Sequence, residues 1–135
     1  MDAAIEAFID EIPVGVMGTV RKDGQPRLST VYYLRDGDRL LISTESKRGK
    51  ARDVERTGRA SLCVQGMAKP FPFVTVEGPA TVLRSGIGDI TARVFSHVLG
   101  QPVDPQTDEA LAAVDRVIIE ITAQRTYGAY LETTG

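Results

Sequence analysis

Short apolar runs separated by glycine-bearing acidic turns constrain this chain more than any other feature. Val14-Gly15-Val16-Met17-Gly18-Thr19-Val20 alternates Val14, Val16, Gly18 and Val20 with Gly15, Met17 and Thr19. Lys22-Asp23-Gly24 follows, with the glycine that a left-handed turn position favours. Residues 27–34 return with Leu28, Thr30, Tyr32 and Leu34 on one face and Ser29, Val31 and Tyr33 on the other, and Asp36-Gly37-Asp38 leads to a third run at 39–43. Tight turns join antiparallel neighbours, whereas parallel neighbours need a long crossover. This part of the chain therefore predicts an antiparallel meander.

The rest alternates between the two periods. Ile5, Phe8 and Ile9 predict a short packing helix that Pro13 stops. Residues 59–65 read as a strand and 66–72 as a loop carrying Lys69-Pro70-Phe71-Pro72. The longest strand signal runs over 73–83, where Gly78-Pro79 implies a bulge, a bend or an edge position. Ile87, Ile90, Thr91, Val94, Phe95, Val98 and Leu99 keep a 3.6-residue period and predict a helix over 88–99. A linker at 102–107, a short helical turn at 108–113 and a final strand at 116–122 complete the chain. Six strands with few helices, several apolar on both faces, predict a mainly β domain with flanking helices, closed as a small barrel. The 135 residues suffice for one domain, 1–135, with one modest core. A core of this size gains from a partner, so a homodimer is expected.

Composition removes several function classes. A hydrophobic fraction of 42% and a charged fraction of 25% are those of a soluble protein, and a formal net charge of -2 argues against general nucleic-acid binding. Neither an apolar run of membrane-spanning length nor a secretory-type N-terminal signal is visible, so a cytoplasmic protein without membrane contact is expected. No Cys/His set has metal spacing. Cys63 reads as a small core residue and His97 as a surface or subunit-contact side chain.

The chemistry-bearing stretch is 43–53. Strand-end residues Ser43-Thr44-Glu45-Ser46 run into Lys47-Arg48-Gly49-Lys50-Ala51-Arg52-Asp53, which has helical spacing and Ser46 as the expected N-cap. Ala51 and Val54 turn toward a core, Arg48 and Lys50 flank that stripe, and Arg52 continues the Arg48 side. A first helical turn with free N–H groups among these cations and the hydroxyls of Ser43, Thr44 and Ser46 is suited to an anion. A solvated basic face partnered by Glu45, Asp53 and Glu55 is the competing reading. The spacing is not that of a P-loop.

In order and spacing, the set Val14 to Val20, Asp23-Gly24-Gln25-Pro26-Arg27-Leu28-Ser29, Leu40-Leu41-Ile42-Ser43-Thr44, Arg48-Gly49-Lys50-Ala51-Arg52-Asp53, Arg59-Ala60-Ser61-Leu62 and Val76-Glu77-Gly78 resembles the split β-barrel flavin and deazaflavin proteins. That superfamily joins the pyridoxamine-5′-phosphate-oxidase-like, FMN-binding proteins with oxidoreductases that use the deazaflavin coenzyme F420. The resemblance implies a split β-barrel of six or more largely antiparallel strands and a homodimer with a cofactor groove between subunits. It also implies hydride transfer between reduced coenzyme F420 and a conjugated or electron-poor small molecule. An FMN-dependent oxidase-like enzyme and a non-catalytic F420-binding or storage protein are the alternatives. Carried over residue by residue, it assigns Ser43, Thr44, Arg48, Lys50, Arg52 and Asp53 to the phosphate segment, Phe71 and Phe73 to the loop near the ring, and Tyr127 and Tyr130 to a C-terminal end close to the cofactor. Asp53 stands where related proteins often carry Asn, so a cation such as Arg52 must offset its charge. Solvent or Tyr33 is the expected proton source.

Overall fold

The computed structural model describes residues 1–131. Helix α1 (Ala3–Glu11) is capped by the Asp2 carboxylate, which accepts from the Ala4 N–H at 2.7 Å, and it buries Phe8 and Ile9. Strands β1 (Val14–Val20), β2 (Pro26–Tyr32), β3 (Leu34–Asp36) and β4 (Arg39–Glu45) follow, then helix α2 (Gly49–Thr57). Next come β5 (Arg59–Gln65), β6 (Phe73–Leu83), helix α3 (Gly88–Leu99), helix α4 (Asp108–Ala113), β7 (Arg116–Thr122) and β8 (Arg125–Ala129). Neighbours run in the order β2-β1-β5-β6-β7-β4-β3, every pair antiparallel, with β8 added to β6. The fold is a split β-barrel with flanking helices.

β6 belongs to both halves of the barrel. Its first part pairs with β5 through Pro79 and with β8 through Glu77, and its last part, Ala80 to Leu83, pairs with β7. The change of partner falls at Gly78-Pro79, where a strand must bend, and proline's missing N–H removes one ladder bond. Gly78 is required there by close approach: a Cβ on it would stand 1.9 Å from the Thr122 carbonyl oxygen.

Two cores result. The larger lies inside the barrel, where Met17, Leu40, Ile42, Leu62, Val64, Val76, Ile119 and Ile121 meet Ile9 and Val54 from the helices. The smaller packs Ile87 and Val94 of the α3 region and Leu111 of α4 against Leu41 and Ile118. β4 and β7 therefore carry apolar residues on both faces, which removes the simple alternation that marks a half-exposed strand. Among the described residues no helix is long and apolar enough to cross a membrane.

Three local expectations are corrected. The meander's second strand ends at Tyr32, because the Tyr33 side chain turns into the core and its hydroxyl lies 2.7 Å from the Ile9 carbonyl and 2.5 Å from that of Ile12. Residues 34–36 then form β3, a short separate strand against β4. Cys63 is half-buried on the outer face of β5, opposite Val16, instead of in the core. An eighth strand, β8, occupies what reads in the sequence as tail.

The outer face of the β1–β2 hairpin is apolar and uncovered in one chain. Leu28 is 71% exposed and Tyr32 57%, and across the ladder Val16 and Val20 are open as well. Large apolar side chains gathered on one exposed face of a sheet form a contiguous patch of the kind that marks an interaction surface.

Gly78→Ala is expected to destabilise the protein by roughly 1 to 3 kcal/mol, the range for overpacking, because a backbone oxygen blocks the added carbon. Urea unfolding checks this, and a midpoint within error of wild type would mean that the crossing can relax.

Candidate functional site

β3 covers β4 only from Arg39 to Leu41, so among the described residues the end of β4 has β7 on one side and no strand on the other. Among the described residues β2 likewise pairs with β1 alone. These two edges face one another across a groove of about 290 Å3, the split of the barrel. Thr30, Val31 and Tyr32 of β2 form one wall, and Ser43 and Thr44 of β4 form the other. Lys50 of α2, Arg116 of β7 and the α3 side chains Val94, Phe95 and Val98 complete it.

Polar chemistry is concentrated on one side of the groove. The Ser43 hydroxyl is buried and has no hydrogen-bond partner among the described residues, an arrangement that costs stability unless a ligand or water completes it. Burial lowers the Lys50 ammonium's pKa, and Arg48, Arg116 and Arg27 push it further the same way against the opposing pull of Glu45. Neither Lys50 nor Arg116 forms an ion pair among the described residues. The groove thus holds a concentration of positive charge with hydroxyls beside it.

The segment that leads into α2 differs from the sequence reading. Ser46 is not the N-cap. Its hydroxyl bonds the Asp115 carboxylate, and the Lys47 N–H donates to the same carboxylate at 3.2 Å. Hydrogen bonding from Ser46 holds the Asp115 carboxyl below its usual pKa. The N-cap falls at Arg48, with no side-chain cap, so the first-turn N–H groups of α2 lack the hydroxyl partner expected for them. Arg48 itself is exposed, 3.3 Å from Glu45, and Lys47 lies 3.1 Å from the same carboxylate. Arg52 is exposed on the next turn.

Asp53 is only 2% exposed. Its Oδ2 accepts from the Thr19 hydroxyl at 2.8 Å and from Arg27 Nε at 2.8 Å, and Arg56 reaches Oδ1 at 3.3 Å. Burial alone would raise its pKa, but the bonds from Arg27 and Thr19 outweigh that and lower it. The compensating cations are Arg27 and Arg56 where the sequence suggested Arg52. The same guanidinium crosses Gly49 so closely that a Cβ there would lie 2.3 Å from Arg27 Cζ.

The structure brings Ser43, Thr44 and Lys50 together in the groove, with Arg48 and Arg52 outside it on α2. It places the aromatic set elsewhere. Phe73 is opposite Ala129 and Thr75 opposite Tyr127 in the β6–β8 ladder, with β5 and β1 between them and β2. Phe71 lies in the preceding loop, and Tyr130, just past β8, is largely exposed. Within one chain these four are not beside the cationic groove. Thr30, Phe95 and Arg116 are groove residues that the sequence reading missed. Arg116 sits opposite Glu45 only through the β4–β7 register, and its guanidinium lies 5.7 Å from the Phe95 ring centre, contacts between residues far apart in sequence.

Comparison with known proteins agrees with this architecture. A family model described as pyridoxamine 5′-phosphate oxidase matches residues 1–130. Among solved structures, a conserved hypothetical protein from Mycobacterium tuberculosis is 27% identical, with 95% of this chain and 83% of that one covered and a TM-score of 0.76. An F420 reductase is 24% identical over 90% and 94% of the two chains, TM-score 0.73. The heme storage protein HutZ from Vibrio cholerae shares the fold at 15% identity over 91% and 90%, TM-score 0.69.

Asp53→Asn is expected to cost roughly 2 to 3 kcal/mol, less than the 3 to 5 of a fully buried pair because Arg27 and Arg56 reach solvent. The Asp53 pKa is lower folded than unfolded, so the charge contributes fully above the ordinary carboxyl pKa of about 4 and is lost as pH falls through the folded value. The stability gap between wild type and variant should therefore narrow in acid. Urea midpoints measured from about pH 6 down to pH 2 check the sign; a gap that widens on acidification contradicts it.

Proposed function

The chain belongs to the pyridoxamine 5′-phosphate oxidase family, and from that premise we propose that it is a coenzyme F420-dependent oxidoreductase acting on an electron-poor conjugated small molecule. The observation that carries this reading is the groove between β2 and β4. Its two cations, Lys50 and Arg116, are without carboxylate partners among the described residues, and Ser43 offers a buried, unpartnered hydroxyl. These are the donors that a cofactor phosphate needs, so the residues present fit that part of the group. Lys50 supplies a mobile point charge and Arg116 a planar fork, with Ser43 and Thr44 as hydroxyl donors.

A reduced deazaflavin, when bound, supplies the hydride, which explains why no cluster of acid, base and nucleophile is needed. The chain's part is to hold an anion at Lys50 and Arg116 and to present the apolar side chains Val31, Val94 and Val98 as a dry wall. Tyr33 is turned into the core and its pKa is raised, mainly by burial, so of the two proton sources solvent is the one this reading keeps. The exposed cations Lys47 and Arg48 just before α2, both within reach of Glu45, and Arg52 on its first turns would follow an acidic tail that FMN lacks. That favours the deazaflavin over the FMN-dependent alternative. His97 is exposed on α3 and does not line the groove, which gives the heme-storage fold relative's ligand no imidazole there. A cytoplasmic homodimer remains part of the proposal: the open face with Leu28 and Tyr32 would pack on a second copy, and only a subunit contact can bring Phe71, Phe73, Tyr127 and Tyr130 to the cofactor.

Lys50→Ala and Arg116→Gln are each expected to weaken F420 binding by roughly tenfold to a hundredfold, the 1.5 to 3 kcal/mol of a charge-assisted hydrogen bond, with a smaller loss for exposed Arg48→Ala. Fluorescence titration against F420 and FMN in parallel decides it, with unchanged affinity in both groove variants removing the site from this cleft. Oxidation of the reduced cofactor with a panel of conjugated carbonyl acceptors separates an enzyme from a storage protein.

Leu28→Asp is expected to give a folded monomer by sedimentation velocity, with F420 affinity falling together with dimerisation. A dimeric variant, or a monomer that binds at full strength, would count against the shared groove.

A further inference from the structure

A second cavity, of about 190 Å3, lies on the other side of Arg116 and Phe95 from the groove. It is open to solvent on one side and bordered by α3, the connector at 103–106, α4 and the start of β7. Its walls are tied in place. The Val103 N–H donates to the Ser96 hydroxyl at 2.9 Å, and Gly88 passes so close to the connector that a Cβ would stand 2.3 Å from the Gln106 carbonyl oxygen. Ala92, Val103 and Leu111 make the interior apolar. Into this setting the fold places Thr91, 5% exposed, whose hydroxyl is buried and has no partner among the described residues. A helical threonine normally relieves such a hydroxyl on the carbonyl one turn back or in solvent. This one does neither.

We propose that this cavity is a ligand site distinct from the groove and takes a compact one-ring carboxylate. An apolar cavity of roughly 150 Å3 accepts a benzene ring, so the space is right for one ring and too small for a flavin. The chemistry of the walls sets the rest. Phe95 and the aliphatic side chains cover the ring, the Thr91 hydroxyl donates to one oxygen, and the Arg116 guanidinium, without an ion-pair partner, meets the charge. Asp104 also lines the cavity, but it is exposed to water and is not paired with Arg116, which leaves that cation available. Arg116 borders both spaces, so an anion held here competes with an anion in the groove for one guanidinium. The site stands whether or not the groove binds a deazaflavin.

Benzoate titrated into the isotope-labelled whole protein, followed by amide NMR shifts, tests this. Saturable shifts centred on α3, the connector and α4 are expected, weakened about fivefold or more in Thr91→Val, with benzyl alcohol binding more weakly than benzoate. Free of ligand, Thr91→Val should melt higher than wild type, since it removes a buried hydroxyl without a partner. Ala92→Leu, which fills the space, should abolish the shifts. Shifts centred on Ser43 and Lys50, no saturation, or undiminished binding in both variants would overturn the proposal.

Discussion

A single buried carboxylate holds the parts of this molecule in register. Asp53 accepts hydrogen bonds from Thr19 on β1 and Arg27 on β2 while sitting on α2, with Arg56 one turn along on its other oxygen. A charge taken out of water is costly unless every lone pair finds a donor, so the geometry of those three donors is fixed together. The helix is thereby fastened to the hairpin at a set rotation. Lys50, three residues earlier, is delivered into the groove by that fastening, and Gly49 is the surface over which the Arg27 guanidinium reaches its partner.

The barrel supplies the complementary half. β3 is short and β2 stops at Tyr32, so two strands approach without joining, and the barrel stays open where Ser43 and Thr44 stand. Thr44 is 5% exposed and Ser43 is half-buried, and both line the groove. Hydroxyls at the end of a strand buried on both sides would otherwise be poor choices, since residues of that kind in a sheet interior are usually aliphatic. Their presence next to cations without carboxylate partners is what gives the cleft a polar floor.

Most of the fold was legible because it was encoded locally. Asp-Gly turns and period-two runs marked β1, β2 and β4, and the apolar stripe from Ile87 to Leu99 marked α3 with its observed bounds. Gly78-Pro79 announced the bend of β6 but not that the strand serves two sheets there. β8 was missed because Arg125-Thr126-Tyr127-Gly128-Ala129 has little hydrophobic contrast and becomes a strand only by pairing with β6. The site divides the same way. Lys50, Ser43 and Thr44 lie in one continuous stretch, whereas Arg116 and Thr30 reach the groove through sheet pairing. Ser46 was taken for a cap because a serine before a basic helix has that signature, and the competing acceptor, Asp115, lies 69 residues away. Asp53 was read as a departure at a binding position because Arg27 was invisible as its partner.

The open seam also bears on how the chain avoids misassembly. The edges of β2 and of the end of β4 expose backbone donors and acceptors to one another, and such edges are templates for unwanted pairing. Phe95, Val98 and Lys50 occupy the wedge between them, so side chains substitute for the strand that would zip the seam shut. The gap is therefore a kept opening, in which the same side chains that line a cleft act as gatekeepers against collapse. Any change that shortened Lys50 or trimmed Phe95 would alter an interior surface and remove a guard from two sticky edges at once, making solubility and ligand capacity move together.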